Sequence, residues 1–211
     1  MALLLCGRWD VLRSLGSGGS GEVFLAADRY AAGALRAVKI LKGGSERHLR
    51  AEFAVLAALS HPGVVRPHAL AEDPERGPLL VTDWVDGADL LTAGAVLPEA
   101  GKLALIAQLL RTLAFVHARG VLHLDLKPGN VLVEAGRVRL LDFGLAGTEW
   151  STAAGATPAW AAPEQIGGGQ VDRRADLWAV GALAFALATG APPQQREAEE
   201  AAARAPARLG E

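Results

Sequence analysis

Asp125, Lys127, Asn130 and Asp142 fall within twenty positions of one another, in the stretches HLDLKPGN (123–130) and LDFG (141–144). Together they suit the movement of a phosphoryl group. Asp125 can accept a hydroxyl proton, and Lys127 can neutralise the phosphoryl oxygens in transit. Asn130 and Asp142 offer oxygen ligands of the kind Mg²⁺ takes, because that ion binds few protein groups and keeps water or phosphate in its other positions. Polar turn residues alone are a poor account of so ordered a set.

A second constellation precedes it. Gly16-Ser17-Gly18-Gly19-Ser20-Gly21-Glu22-Val23 can bring backbone amides close to phosphate oxygens. A plain glycine-rich turn fits the same residues. The dinucleotide fingerprint does not, since the loop joins two strands rather than opening a helix, and without a following Gly-Lys-Ser/Thr it is no P-loop either. One strand later, Ala37-Val38-Lys39 sets a lysine inside an apolar run that ends at Leu41. Its charge is costly to bury unless matched. An edge strand that lets Lys39 reach water is the alternative.

The elements that must position these residues change in kind along the chain. Residues 9–42 read as glycine-punctuated strands. Leu49, Phe53, Leu56 and Leu59 recur at helical spacing within Ser45–Leu59, stopped by His61-Pro62-Gly63. Val64–Leu70 and Leu79–Val85 read as two more strands joined by the polar turn Glu72–Pro78. After Gly87 the pattern turns helical. Pro98 opens a helix to His117 with Leu103, Ile106, Leu110, Leu113 and Val116 on its predicted apolar face. Short strands follow at Val131–Val133 and Val138–Leu140, then a loop over Ala146–Gly169. Arg173–Gly190 is expected to be a helix buried on all sides, and Gln194–Glu211 a polar, Ala-rich tail. The expected class is α+β and bilobal: a small antiparallel β lobe with one helix, then a mainly helical lobe.

Composition narrows the function classes. Of 211 residues, 51% are hydrophobic and 21% charged, which excludes a disordered chain. The net charge of −2 gives no broad drive toward nucleic acid or anionic membrane. A single cysteine, Cys6, excludes an intramolecular disulfide and a thiolate zinc cage. Met1–Gly7 lacks the basic start of a signal peptide and reads as a first strand. Leu177–Ala191, the longest apolar run, falls short of a membrane helix. The expectation is a cytoplasmic protein with neither nucleic-acid nor membrane partners.

Taken in order, these motifs resemble those of eukaryotic-type (Hanks-type) serine/threonine protein kinases. The matching residues are the glycine-rich loop Gly16–Val23, the lysine strand Ala37-Val38-Lys39, Glu52 ahead of His61-Pro62, and the hinge Thr82-Asp83-Trp84-Val85. They continue through His123–Asn130, Asp142-Phe143-Gly144, Gly155-Ala156-Thr157-Pro158, Ala162-Pro163-Glu164 and Asp176. The match covers residues 9 to about 193, with 9–85 as the N-lobe, 86–193 as a partial C-lobe and 194–211 as the tail.

The resemblance implies transfer of the γ-phosphoryl group of Mg-ATP to Ser/Thr hydroxyls of protein substrates. Lys39 would hold the α- and β-phosphates and Glu52 would fix it. Asn130 and Asp142 would bind Mg²⁺, and Asp125 would orient the hydroxyl. Leu15, Val23, Ala37 and Leu132 would sandwich adenine, with Gly16, Ser17, Gly18, Gly19, Ser20 and Gly21 over the phosphates. Backbone groups of Asp83 and Val85 would bond its edge, beside Thr82 as gatekeeper. Lys127 points to Ser/Thr rather than Tyr acceptors, and Thr157 would contact Asp125 and Lys127. His123 would pack under Phe143 and Asp176 would brace the loop. His48, His68 and His117 read as surface or packing residues.

Two departures bear on activity. The family's arginine before the catalytic aspartate is Leu124 here, and a leucine cannot gather an activation-loop phosphate. Activity independent of phosphorylation at Thr148, Ser151 and Thr152 follows. The family also continues with further helices after Pro193. Without them Leu177, Val180, Leu183, Phe185 and Leu187 would be partly exposed or shared with a partner or second copy over helix 173–190, and Glu164 would be buried unpaired. A catalytically weak or inactive ATP-binding pseudokinase acting as an interaction module is the alternative on that ground. A small-molecule phosphotransferase is disfavoured by the Gly-Ala-Thr-Pro and Ala-Pro-Glu segments, which by resemblance dock a polypeptide.

Overall fold

The computed structural model describes residues 3–18, 21–41, 46–152, 155, 157–190 and 193. Gly19, Ser20, Ala156 and the tail 194–211 lie outside the described residues. The chain divides into two units, Met1–Asp86 and Gly87–Glu211.

The first unit is a six-stranded antiparallel sheet. Its strands are β1 (Leu4–Leu5), β2 (Trp9–Gly18), β3 (Gly21–Asp28), β4 (Ala34–Ile40), β5 (Pro67–Asp73) and β6 (Gly77–Asp83), ordered β1-β2-β3-β4-β6-β5. Helix α1 (Glu46–Ala58) packs against β5 and β6. Strand alternation divides the sheet's residues between two faces. Trp9, Ala26, Val38, Ile40, Leu79 and Val81 form a core with Leu5. Ala37 and Lys39 alternate with Val38 and Ile40 and so take the opposite face.

The β5–β6 hairpin is tighter than the sequence pattern predicts, with only Pro74-Glu75-Arg76 between strands rather than Glu72–Pro78. The strands correspondingly run Pro67–Asp73 and Gly77–Asp83, not Val64–Leu70 and Leu79–Val85. Asp73 is the cause. One carboxylate oxygen accepts the amides of Glu75 and Arg76, both at 3.1 Å, and the other accepts that of Cys6 at 2.7 Å. A side chain thus supplies the acceptors a longer turn would otherwise provide.

The second unit holds β7 (Ala88–Asp89), α2 (Leu90–Ala95), α3 (Glu99–His117), β8 (Val131–Glu134), β9 (Arg137–Leu140), α4 (Pro163–Ile166) and α5 (Arg173–Thr189). The three strands form one small sheet in sequence order. Helix α3 buries Leu105, Leu109, Thr112, Leu113 and Val116, while Leu103 and Leu110 are exposed. The predicted face is therefore rotated. In the run LALIAQLL (103–110) every residue but Gln108 is apolar, so its period does not single out one stripe.

Helix α5 packs on α3 and α2. It is not buried all round: Val180, Leu183 and Leu187 are buried, but Leu177 and Phe185 are 45% and 44% exposed. Asp172 caps its start by accepting the amide of Arg174 at 2.8 Å. The stretch read as a loop, 146–169, contains the short α4, opened by Pro163 at its first position. Glu164 is half-buried rather than buried, and the Arg174 guanidinium, held by Asp172, feels its charge. Among the described residues no helix is long and apolar enough to cross a membrane.

One buried charge ties the first unit together. Asp28, 1% exposed, accepts two guanidinium bonds from Arg8 at 2.8 and 2.7 Å and the Tyr30 amide at 3.0 Å. The Arg8 bonds hold its carboxyl below the usual carboxylate range. A depressed folded-state pKa contributes stability above the unfolded value, near 4, that is lost as pH falls through the folded one. Asp28→Asn should cost about 2 kcal/mol at pH 7. In urea titrations that gap should begin to shrink below about pH 4; a gap constant down to the most acid pH tested would contradict this origin.

Candidate active site

In the first unit, Lys39 on β4 lies opposite Val23 on β3 and Leu80 on β6. Its Nζ is 2.9 Å from Glu52 Oε2, with side-chain exposures of 13% and 3%. Glu52 belongs to the buried face of α1 with Leu49 and Leu56, so helix packing brings the carboxylate to the lysine. This is how the sequence matches the charge it places in an apolar run. Each partner alone would be a costly buried charge.

The glycine-rich segment is the end of the β2–β3 hairpin, with Gly16 paired to Val23, Ser17 to Glu22 and Gly18 to Gly21. Gly21 has φ +136°, and a Cβ there would sit 2.1 Å from the Ile40 carbonyl oxygen, so glycine is required. At Gly16 nothing among the described residues lies within 4 Å of a Cβ. Leu15, Val23 and Ala37 are half-buried. At the end of β6, the Asp83 amide donates to Arg66 O at 2.9 Å, and the Asp83 carbonyl accepts the Thr82 hydroxyl at 3.3 Å. The Asp83 carboxylate pairs with His68 Nε2 at 2.6 Å, and His68 is exposed, as its reading as a surface or packing residue expects. Trp84 carries Arg13 over its ring, 5.4 Å from the centroid, and Val85 is buried.

In the second unit, the loop between α3 and β8 converges on Asp125. One carboxylate oxygen accepts Thr157 Oγ1 at 2.8 Å. The other accepts Lys127 Nζ at 2.6 Å and Asn130 Nδ2 at 3.0 Å. Lys127 also donates to Thr157 Oγ1 at 3.3 Å, and Asn130 to the Asp125 carbonyl at 2.8 Å. With its amide nitrogen engaged on Asp125, the oxygen of Asn130 is the atom suited to a hard cation.

Asp142, at φ +57°, follows Leu141, whose amide donates to the Asn130 carbonyl at 2.9 Å. Backbone pairing thus sets Asn130 beside Leu141, the residue before Asp142, and the oxygen chemistry of Asn130 and Asp142 fits Mg²⁺. Asp142 also accepts the Gly144 amide at 3.2 Å. Leu132 lies on β8 and is half-buried. His123 is fully buried, with its ring 4.6 Å from that of Phe143 and its Nε2 3.0 Å from Leu141 O.

Asp176, 1% exposed on α5, supports this loop from below. It accepts the amides of His123 at 2.9 Å and Leu124 at 2.8 Å, and pairs with His117 Nε2 at 2.8 Å. His117, read from sequence as a scattered histidine, belongs to this support. Gln165 was missed altogether. It is buried, accepts the Ala162 amide at 3.1 Å and donates to the Leu124 carbonyl at 2.9 Å. Only its place directly after Ala162-Pro163-Glu164 could have drawn attention to it.

Leu124 itself is buried at φ +64° among Leu122, Ala162, Val171 and Ala175. Around it the segment after Phe143 is fastened by backbone bonds. Leu122 and Gly147 exchange two, at 2.9 and 3.1 Å, while Trp150 and Ser151 pair with Val171 at 2.7 and 3.0 Å.

A lysine held by a helix glutamate, a braced aspartate with its lysine and asparagine, and an Asp-Phe-Gly turn are the parts that a protein kinase assembles. The model of the protein kinase domain family matches residues 9–208. The chain belongs to this family. It is 39% identical over 208 residues to the DNA damage-responsive serine/threonine-protein kinase RqkA of Deinococcus radiodurans, covering 90% of this chain and 31% of that protein. It is 36% identical to serine/threonine-protein kinase pkn2 of Myxococcus xanthus, covering 91% and 25%, and 32% identical to PknB of Mycobacterium leprae, covering 90% and 33%. The chain thus spans a quarter to a third of the length of these relatives.

Kinase geometry makes the Asp176 brace testable. In Asp176→Asn one acceptor oxygen becomes an NH₂ group facing a backbone or histidine donor. If the chain transfers phosphate as proposed below, kcat should fall about 100-fold through misplacement of Asp125. An unaltered kcat would show that the brace is dispensable.

Proposed function

We propose that this chain transfers the γ-phosphoryl group of ATP to serine and threonine hydroxyls of protein substrates. The observation that supports this most is the convergence of Lys127, Asn130 and Thr157 on the Asp125 carboxylate. In a pseudokinase these groups would have no reason to be held in one polar cluster above a buried brace.

The roles follow from the chemistry of each group. Lys39, charge-matched by Glu52, binds the α- and β-phosphates, and the Gly16–Gly21 segment covers them. Leu15, Val23, Ala37 and Leu132 offer adenine apolar contact, with the Asp83 carbonyl and the Val85 backbone at its edge and Thr82 beside it. Asn130 and Asp142 hold Mg²⁺, which when bound neutralises phosphate charge. Asp125 orients the substrate hydroxyl and takes its proton as the new O–P bond forms and the bond from Pγ to the ADP oxygen breaks. Lys127 balances charge on the phosphoryl oxygens, a position that in this family goes with Ser/Thr acceptors.

Incubation with labelled ATP, Mg²⁺ and a generic basic protein should yield phosphoserine and phosphothreonine, with transfer abolished by a chelator. Asp125→Asn should reduce the rate by roughly 10²- to 10⁴-fold. Nucleotide binding without transfer by the wild-type chain would instead favour the pseudokinase reading.

Activity without activation-segment phosphorylation is part of the proposal. Leu124 stands in the place of a phosphate-gathering arginine and packs against apolar neighbours, while backbone pairing at Gly147, Trp150 and Ser151 fastens the segment. Ser151 Oγ is already engaged, donating to Thr148 O at 2.7 Å. The triple change Thr148→Ala, Ser151→Ala, Thr152→Ala should leave kcat essentially unchanged in steady-state assays, and a large loss would refute this point.

A further inference from the structure

We infer that Gln165 is a positioning residue for Asp125, holding the carbonyl of the peptide between Leu124 and Asp125 while Asp176 holds the Leu124 amide; this rests on the kinase reading of the same site. The side chain has a local role, since Ala162 precedes α4 and Gln165 is its third residue, so accepting the Ala162 amide at 3.1 Å is half of a capping box. A glutamate or glutamine serves equally well for that half. The other half separates them. The Gln165 amide nitrogen donates to the Leu124 carbonyl at 2.9 Å, forty-one residues away in sequence, and both partners are buried.

Leu124 is held at φ +64°, an uncommon conformation for a branched residue with a side chain packed on all sides. Its amide is bound by Asp176 at 2.8 Å and its carbonyl by Gln165, so both polar groups of the residue before Asp125 are fixed by partners from outside the loop. A loss on either side lets the peptide rotate and moves the carboxylate. Gln165 also lines a small cavity with Asp125, Leu126, Thr157 and Asp176.

Two substitutions separate positioning from capping. Gln165→Leu removes both bonds, whereas Gln165→Glu keeps the acceptor for Ala162 and loses the donor to Leu124 unless the introduced carboxyl is protonated. The charged groups facing this position are Asp125 with Lys127 from the loop and Asp176 with His117 from α5 and α3. Glu164 on α4 and Arg174 on α5 are the neighbouring charges on its own side. Two carboxylates and a carbonyl oxygen favour the protonated form of an introduced acid.

Both variants should lose about 10- to 100-fold in kcat at pH 8 with the KM for ATP unchanged. Relative to wild type at each pH, Gln165→Glu should regain most of that loss by pH 6, and Gln165→Leu none. Amide exchange in the peptide 121–127 should rise in both variants at pH 8 while α5 stays protected. Wild-type kcat and unchanged exchange in the variants, or an identical loss for both at every pH, would overturn the inference. Should Gln165→Leu lose protection in α5, the pH response of Gln165→Glu decides alone. Should the wild-type chain fail to transfer phosphate, the functional proposal falls and exchange in 121–127 decides on Gln165.

Discussion

A carboxylate with 1% exposure in the first turn of a largely apolar helix is the constraint on which the second unit depends. Asp176 cannot remain charged there without donors, and an isolated buried charge costs several kcal/mol. The donors it uses are the amides of His123 and Leu124 and the ring of His117. Burial of one charge therefore dictates the path of a loop more than fifty residues away in sequence. The loop adopts a conformation it would not choose alone, including φ +64° at Leu124, because the alternative leaves the carboxylate unmatched. Asp125 then points where the backbone directs it, and its own acceptors are taken up by Thr157, Lys127 and Asn130.

The first unit solves a similar problem with a different consequence. Lys39 sits on a strand whose alternate residues, Val38 and Ile40, are core. Its charge is matched by a residue of α1, so the register of the sheet and the packing of the helix must agree for the pair to close at 2.9 Å. Such a pair adds little net stability, because desolvation offsets the attraction. It is better understood as a geometric lock: the lysine is held in one place, on the face that carries Val23 and Ala37. In both units a buried charge converts a packing arrangement into the position of a functional atom.

This explains what could be read in the sequence and what could not. Residues 123–130 and 141–144 were legible because spacing alone fixes which side chains share a short loop. Lys39 was legible because a charge in an apolar run demands a partner, and Glu52 only through the resemblance to the kinase family, since helical period marks the apolar residues around it and not the carboxylate. The β5–β6 hairpin was misjudged by a few residues because the Asp73 side chain closes the turn, a bond invisible to composition. The face of α3 was misassigned because apolar residues stand on more than one side of it, Leu103 and Leu110 as well as Leu105 and Leu109. His117 and Gln165 were opaque for a deeper reason. A single histidine or glutamine has no pattern, and its meaning lies in a partner fifty-nine or forty-one positions away.

The substitution at Leu124 shows how one side chain changes the kind of force that holds a segment. An arginine at this position would be a charge awaiting a counter-charge, and the segment after Phe143 would be ordered when a phosphate supplied it. A leucine needs only apolar neighbours, and it has them in Leu122, Ala162, Val171 and Ala175. Gly147 fits the same packing, since a Cβ there would press to 3.0 Å on Leu124 Cδ1. Dispersion and burial are present whenever the chain is folded, and neither ionic strength nor modification supplies or withdraws them. Control exerted through charge at this point is thereby given up. What holds the segment at Leu124 is therefore apolar packing together with the backbone pairing at Gly147, Trp150 and Ser151.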